Sequence, residues 1–204
     1  MPLKKNKPIR KCNSSIVTAT RKDVLSNNNS YIPKTPVSSH EEADTLMMVH
    51  ALELAEDGED IDFFSQDTDW MVLILKRMEK LGSNTHFVTG STENRCKIAL
   101  QLIYEHLGTR RALALPGFHS ITGSDTTVRI KGVGKKSAFK SFMEASDLII
   151  DALVRLGDGD FPCPEVISGC EKFLCLLTST KEVSANDSAT LRLNKFKRLR
   201  NNDG

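Results

Sequence analysis

Ala43, Leu46, Met47, His50 and Leu54 fall at helical spacing, which predicts a helix running to about Ala55. Ser39, followed three residues later by Glu42, fits a capping box at its start, and Glu56-Asp57-Gly58-Glu59-Asp60 supplies the stop. Ile61-Asp62-Phe63-Phe64-Ser65 reads as a short strand ending at Gln66 or Asp67. The apolar run Trp70 to Leu75 predicts a helix closed by Leu81-Gly82, with a strand as the alternative. Thr85 to Thr89 is a second strand, and Glu93 to Leu107, with Ile98, Leu102 and Leu107 on one face, is a further helix. Ala112 to Leu115 begins an apolar segment interrupted by Pro116-Gly117. Helical patterns follow at 137–145, 148–156 and 165–177, with Pro162 and Pro164 breaking the chain between the last two.

Strands alternating with helices predict an α/β domain with a short parallel sheet flanked by helices. Ligands of such sheets bind at the carboxyl ends of the strands. The domain is expected to occupy residues 38–177. Residues 1–37 form a basic, mostly disordered segment with a weak strand around Ser15 to Thr20, and residues 178–204 form a polar, basic, frayed tail.

The charge distribution sharpens this picture more than its total. A net charge of +2 is too mild to demand a nucleic-acid partner. Yet Met1 to Lys22 holds seven Lys and Arg and no acid, while Glu41 to Asp69 is strongly acidic. That asymmetry suits a metal site serving a polyanion, with solvated charge as the simpler alternative. The basic start also fits a nuclear-import patch. Cys12, Cys96, Cys163, Cys170 and Cys175 form no CxxC pair, and the Lys-rich start lacks the apolar stretch of a secretory leader. Reduced intracellular thiols are therefore expected, with Cys170 and Cys175 in the core. No apolar run approaches the roughly 18 residues of a membrane helix.

Two features carry candidate chemistry. The first is acidic: Glu42 with Asp44, Asp67 with Asp69, and Asp125 alone. Hard cations such as Mg²⁺ or Mn²⁺ take carboxylate oxygens, and two such ions can steady both oxygens of a phosphodiester displacement. Each cluster also has an ordinary reading, as a capping box, a helix N-cap and a turn residue respectively. The second feature is Lys131-Gly132-Val133-Gly134-Lys135-Lys136, a tight turn whose exposed backbone and lysines suit a phosphate at a helix N-terminus. His40, His50 and His119 raise a zinc alternative; His50, beside Leu46 and Leu54, is expected to be a core histidine. Phe63, Phe64 and Trp70 are expected in the core, because base stacking would require exposure.

These residues, in this order, resemble the flap-endonuclease branch of the PIN-like 5′-nuclease superfamily. Glu42-Ala43-Asp44 is similar to that family's Glu-Ala-Glu helix start, and Ser65-Gln66-Asp67-Thr68-Asp69 to its Asp-x-Asp strand end. Gly123-Ser124-Asp125 followed by Ile130, Gly132, Gly134 and Ala138, at five, seven, nine and thirteen residues after the aspartate, resembles its helix-two-turn-helix, at about 120–142. More narrowly, HEEADT and LPGFHSITGSDTT look like a set of mobile-element-associated animal proteins. The resemblance covers about residues 38 to 142.

The resemblance implies two Mg²⁺ or Mn²⁺ ions. Glu42 and Asp44 would hold one, Asp67 and Asp69 would hold or bridge the other, and Asp125 would complete the site. It implies hydrolysis of nucleic-acid phosphodiesters without a covalent enzyme intermediate, DNA ahead of RNA as substrate, and K⁺ at the Gly132–Gly134 turn. Lys131, Lys135 and Lys136 would meet phosphates without reading sequence. Family members carry a further aspartate on an earlier strand, whereas Asp23 is the only acid before His40 here. The expectation is thus a PIN-like domain lacking its first strands, with weakened catalysis. A non-catalytic nucleic-acid-binding remnant that uses the glycine turn and its lysines is the alternative, and an interaction domain whose acids only cap helices is a third.

Overall fold

The computed structural model describes residues 17–19, 24–26, 43–56, 58, 60–67, 69–91, 93–124, 127, 129–180 and 185–202. Strands β1 (Val17–Ala19) and β2 (Val24–Ser26) pair antiparallel. The first lies within the expected strand; the second has no counterpart among the predicted elements. Next come helix α1 (Ala43–Glu56), strand β3 (Ile61–Phe64), helix α2 (Asp69–Leu81) and strand β4 (Thr85–Thr89). Strand β5 (Cys96–Ala99) runs directly into α3 (Leu100–Leu107), followed by α4 (Thr109–Thr122) and α5 (Lys135–Met143). The order ends with α6 (Asp147–Arg155), α7 (Pro164–Thr178) and α8 (Ser188–Asn202). The capping box at Ser39 and Glu42 and most of the 1–37 segment lie outside the described residues.

The β3–α2–β4 unit carries the α/β character. Trp70, Ile74, Leu75, Met78 and Leu81 of α2 are all buried, a stripe at helical spacing that settles the helix over the strand alternative. Gly82, at φ +83°, ends the helix by returning its N–H to the Met78 carbonyl. The buried Thr85 hydroxyl donates to the Leu81 carbonyl, fixing the entry into β4. β4 then pairs parallel with β3, as a helical crossover requires.

The sheet is mixed rather than parallel, because β5 joins β4 antiparallel in the order β3-β4-β5. Only a short loop, from Gly90 to Arg95, separates the two strands, too short for a crossover and long enough for a hairpin. The helix expected over Glu93 to Leu107 is therefore corrected: its first part is strand, and helix begins at Leu100. Along β3 burial alternates, so Ile61 and Phe63 enter the core while Asp62 and Phe64 face outward. Phe64, expected in the core, is 62% exposed, with the Arg95 guanidinium 5.7 Å over its ring.

Helix α4 is the centre of the helical layer, packing on both α2 and α6. It passes through Pro116 without ending, correcting the expected interruption. An internal proline costs a helix about 3 kcal/mol, but Ala112, Ala114, Leu115, Gly117 and Phe118 are all buried around it. Packing on two sides outweighs the lost backbone bond. Phe118 meets Phe142 of α5 at 4.8 Å between ring centroids and Phe173 of α7 at 6.2 Å, tying three helices into one core.

The expected frayed tail is corrected too, since residues 188–202 form α8. Its first turn is latched by two carboxylates. Asp187 accepts the Thr190 N–H at 2.8 Å, and Glu171 of α7 accepts the Ser188 hydroxyl at 2.6 Å and the Ser188 N–H at 3.0 Å. The Thr190 N–H holds the Asp187 carboxyl below its ordinary range, and the Ser188 hydroxyl does the same for Glu171. A carboxyl lowered by folding stabilises the fold above its unfolded pKa and loses that contribution as pH falls through the folded value. α8 is thus expected to loosen below about pH 4. Hydrogen exchange, corrected for intrinsic rates, should show its amides opening before those of α4. Asp187→Ala should speed α8 exchange about fivefold at neutral pH. Unchanged α8 protection in both experiments would rule the latch out.

Candidate functional site

The carboxyl end of β3 is built by a succession of local hydrogen bonds. The Ser65 N–H donates to the Val88 carbonyl at 3.1 Å, extending the pairing with β4 by one residue. The Asp67 N–H then donates to Ser65 Oγ at 3.0 Å, and the Asp69 N–H to Asp67 Oδ1 at 2.8 Å. Asp67 therefore caps the start of α2, as its ordinary reading expects, and this uses one carboxylate oxygen. Gln66 Nε2 donates to the Gly90 carbonyl at 2.8 Å, tying the turn to the end of β4. Beside it lies an open cleft of about 230 Å³ lined by Phe64, Ser65, Gln66, Val88, Thr89, Gly90 and Arg95.

Asp69, the first residue of α2, is half-buried, and its Oδ2 lies 3.1 Å from Nε2 of His119 on α4. The imidazole is 16% exposed, and Nε2 itself is out of contact with solvent. Despite the short distance the two groups are not aligned for a hydrogen bond, so Nε2 is a buried polar atom left unsatisfied. Asp62, on the outward face of β3, has His86 Nδ1 of β4 at 3.2 Å, but unlike Asp69 it is also neutralised by Lys97 Nζ at 2.7 Å. His50 is buried 3.4 Å from Glu53, a core histidine as expected.

After α4 the chain turns sharply. Gly123 sits at φ +105°, where a Cβ would come within 3.1 Å of the Arg129 Cα, so only glycine serves. Thr127 clamps the turn: its hydroxyl donates to the Ser120 carbonyl and accepts the Ser124 N–H, each at 2.8 Å. The frame around Gly123-Ser124 is thus fixed against the end of α4. Asp125 lies outside the described residues, as do Glu42 and the side chain of Asp44, whose backbone is in the first turn of α1.

The glycine turn bends at a left-handed residue. Gly132 adopts φ +81°, the Val133 N–H donates to the Ile130 carbonyl at 3.2 Å, and Gly134 precedes α5 in extended conformation. Val133 is half-buried against the core, while Lys131, Gly132, Gly134, Lys135 and Lys136 are exposed.

Of the proposed ligands, then, Asp67 and Asp69 adjoin, and His119 joins them from a different helix. The sequence offers His119 only as a zinc ligand. The signal that could have found its role was its place in α4, six residues before Asp125. Among the described residues no three His, Cys, Asp or Glu side chains converge as a metal-holding group. Cys96, Cys163, Cys170 and Cys175 are free thiols, and burial raises the pKa of Cys170 and Cys175, which suits core packing rather than reactivity. No helix among the described residues is long and apolar enough to cross a membrane. Comparison with protein-family models, curated proteins and solved structures finds no match.

Proposed function

We propose that this chain is a metal-dependent, structure-specific nuclease-like domain of the PIN-like, flap-endonuclease type, acting on nucleic-acid phosphodiesters. One observation carries the reading: His119 on α4 reaches to 3.1 Å from Asp69 at the end of β3. That contact brings the helix leading into Gly123-Ser124-Asp125 against the Asp67-Thr68-Asp69 strand end, two of the three blocks on which the resemblance rests. The donor chemistry fits a divalent cation, with carboxylates open to solvent on one side and an unsatisfied ring nitrogen on the other. Asp67 and Asp69, with Glu42, Asp44 and Asp125, would hold Mg²⁺ or Mn²⁺. Such ions supply the positive charge that steadies the attacking and departing oxygens.

The chain's own residues account for binding. Lys131, Lys135 and Lys136 stand exposed around the glycine turn, where backbone N–H groups and ammonium charge suit a phosphate. α8 adds Arg192, Lys195, Lys197, Arg198 and Arg200 with no acid along its length. The test is incubation of the purified chain with flap, bubble and single-stranded substrates and Mg²⁺ or Mn²⁺. Cutting should occur and should stop with a chelator. Lys131/Lys135/Lys136→Ala should weaken binding evenly across sequences and reduce the salt slope by about three. Binding that survives chelation without any cutting would replace the nuclease reading with the non-catalytic one.

A further inference from the structure

The geometry points to His119 as a nitrogen ligand of the ion that Asp69 holds, which makes the site selective for Mn²⁺ over Mg²⁺. This rests on the metal-dependent reading above and adds a residue and a metal preference to it. Nε2 and Asp69 Oδ2 lie 3.1 Å apart without hydrogen-bond alignment. Adjacent ligands of an octahedral ion with bonds of about 2.1 Å are separated by roughly 3.0 Å, with their lone pairs converging on the ion rather than on each other. A misaligned contact at that separation fits such a pair; His86 stands in a like relation to Asp62 at 3.2 Å, but there Lys97 already neutralises the carboxylate. A hydrogen bond would instead have satisfied the buried nitrogen.

The position is held rigidly. α4 is clamped between α2 and α6, and Phe118, next to His119, packs on Phe142 and Phe173. The backbone that carries the imidazole is thus fixed against the start of α2. A neutral imidazole nitrogen suits transition metals, whereas Mg²⁺ favours oxygen ligands and retains its waters. An all-carboxylate site would take either ion; a nitrogen beside Asp69 shifts the choice.

The test uses Mn²⁺ alone with the full chain. Electron spin echo envelope modulation of bound Mn²⁺ should show coupling to a coordinated imidazole nitrogen, and ¹⁵N-histidine labelling should change it. The coupling should vanish in His119→Gln and persist in His86→Gln. His119→Gln should also lose about tenfold in Mn²⁺ affinity, while Mg²⁺ affinity barely moves. Mn²⁺ bound without nitrogen coupling, or coupling that persists in His119→Gln, overturns the role of His119 and leaves the carboxylate site standing. No bound Mn²⁺ overturns both. Should His119→Gln fail to fold, the labelling experiment on wild type still decides whether an imidazole is coordinated.

Discussion

Asp67→Asn/Asp69→Asn is expected to lower the cleavage rate at least about a thousandfold while leaving the fold intact. Asparagine matches aspartate in shape, and its side-chain oxygen can still accept the Asp69 N–H that Asp67 Oδ1 now takes at 2.8 Å. As N-caps the two residues are nearly equal, so α2 should start where it does now. What disappears is negative charge at the carboxyl end of β3. If divalent ions contribute several kcal/mol of transition-state stabilisation, about 4 kcal/mol lost corresponds to roughly a thousandfold in rate. The substitution therefore separates the observed cap from the proposed metal role: capping tolerates it, and metal binding would not. Single-turnover cleavage, Mn²⁺ binding and thermal unfolding measured on both proteins decide the matter. Equal cleavage by wild type and variant would remove the metal assignment.

The elements legible in the sequence are those whose burial pattern has a single period. α2 shows its stripe of Trp70, Ile74, Leu75, Met78 and Leu81, and β4 spans Thr85–Thr89 as expected. Illegible elements fail for distinct reasons. Residues 96–99 carry too few apolar positions to separate strand from helix, and only pairing with β4 decides them. Pro116 is a local stop signal overruled by burial on two sides of α4. α8 lacks a strong apolar stripe and is held at its first turn by Asp187 and Glu171, one of them sixteen residues before Asp187. The Asp187-Ser188 pair was the available signal, a cap without an evident helix after it.

The same contrast holds at the candidate site. The Asp67 cap and the Gly132 turn could be read because each is local: a few consecutive residues fix the conformation. His119 could not, because its significance is a contact between α4 and the start of α2, fifty residues apart in sequence. Phe64 shows the reverse. An aromatic residue in an apolar run reads as core, yet the alternation of β3 turns it outward beside the cleft at the strand ends.

Gly117→Ala tests how tightly that long-range contact is held. In an exposed helix the change would help by about 1 kcal/mol, since alanine is the better helix former. Here a Cβ would stand 2.2 Å from the Leu153 carbonyl oxygen and 3.1 Å from the Leu153 Cα. The obstruction is backbone, so no rotamer relieves it, and α4 and α6 must separate. Ala114, Ile150 and Leu153, each no more than 2% exposed, would lose contacts across the gap. The clash therefore decides the sign, and a loss of about 3 kcal/mol is expected, a fall of about 6–12 °C in Tm. Gly134→Ala is the control, because its Cβ would meet only Ser137 Oγ at 3.8 Å; it should change Tm by less than about 2 °C. Gly117 lies two residues before His119, so a displaced α4 also carries the imidazole away from Asp69. In the fraction that remains folded, Gly117→Ala should therefore bind Mn²⁺ more weakly than Gly134→Ala does. A Gly117→Ala protein as stable as wild type would mean that α4 and α6 are not in the close contact on which the placement of His119 depends.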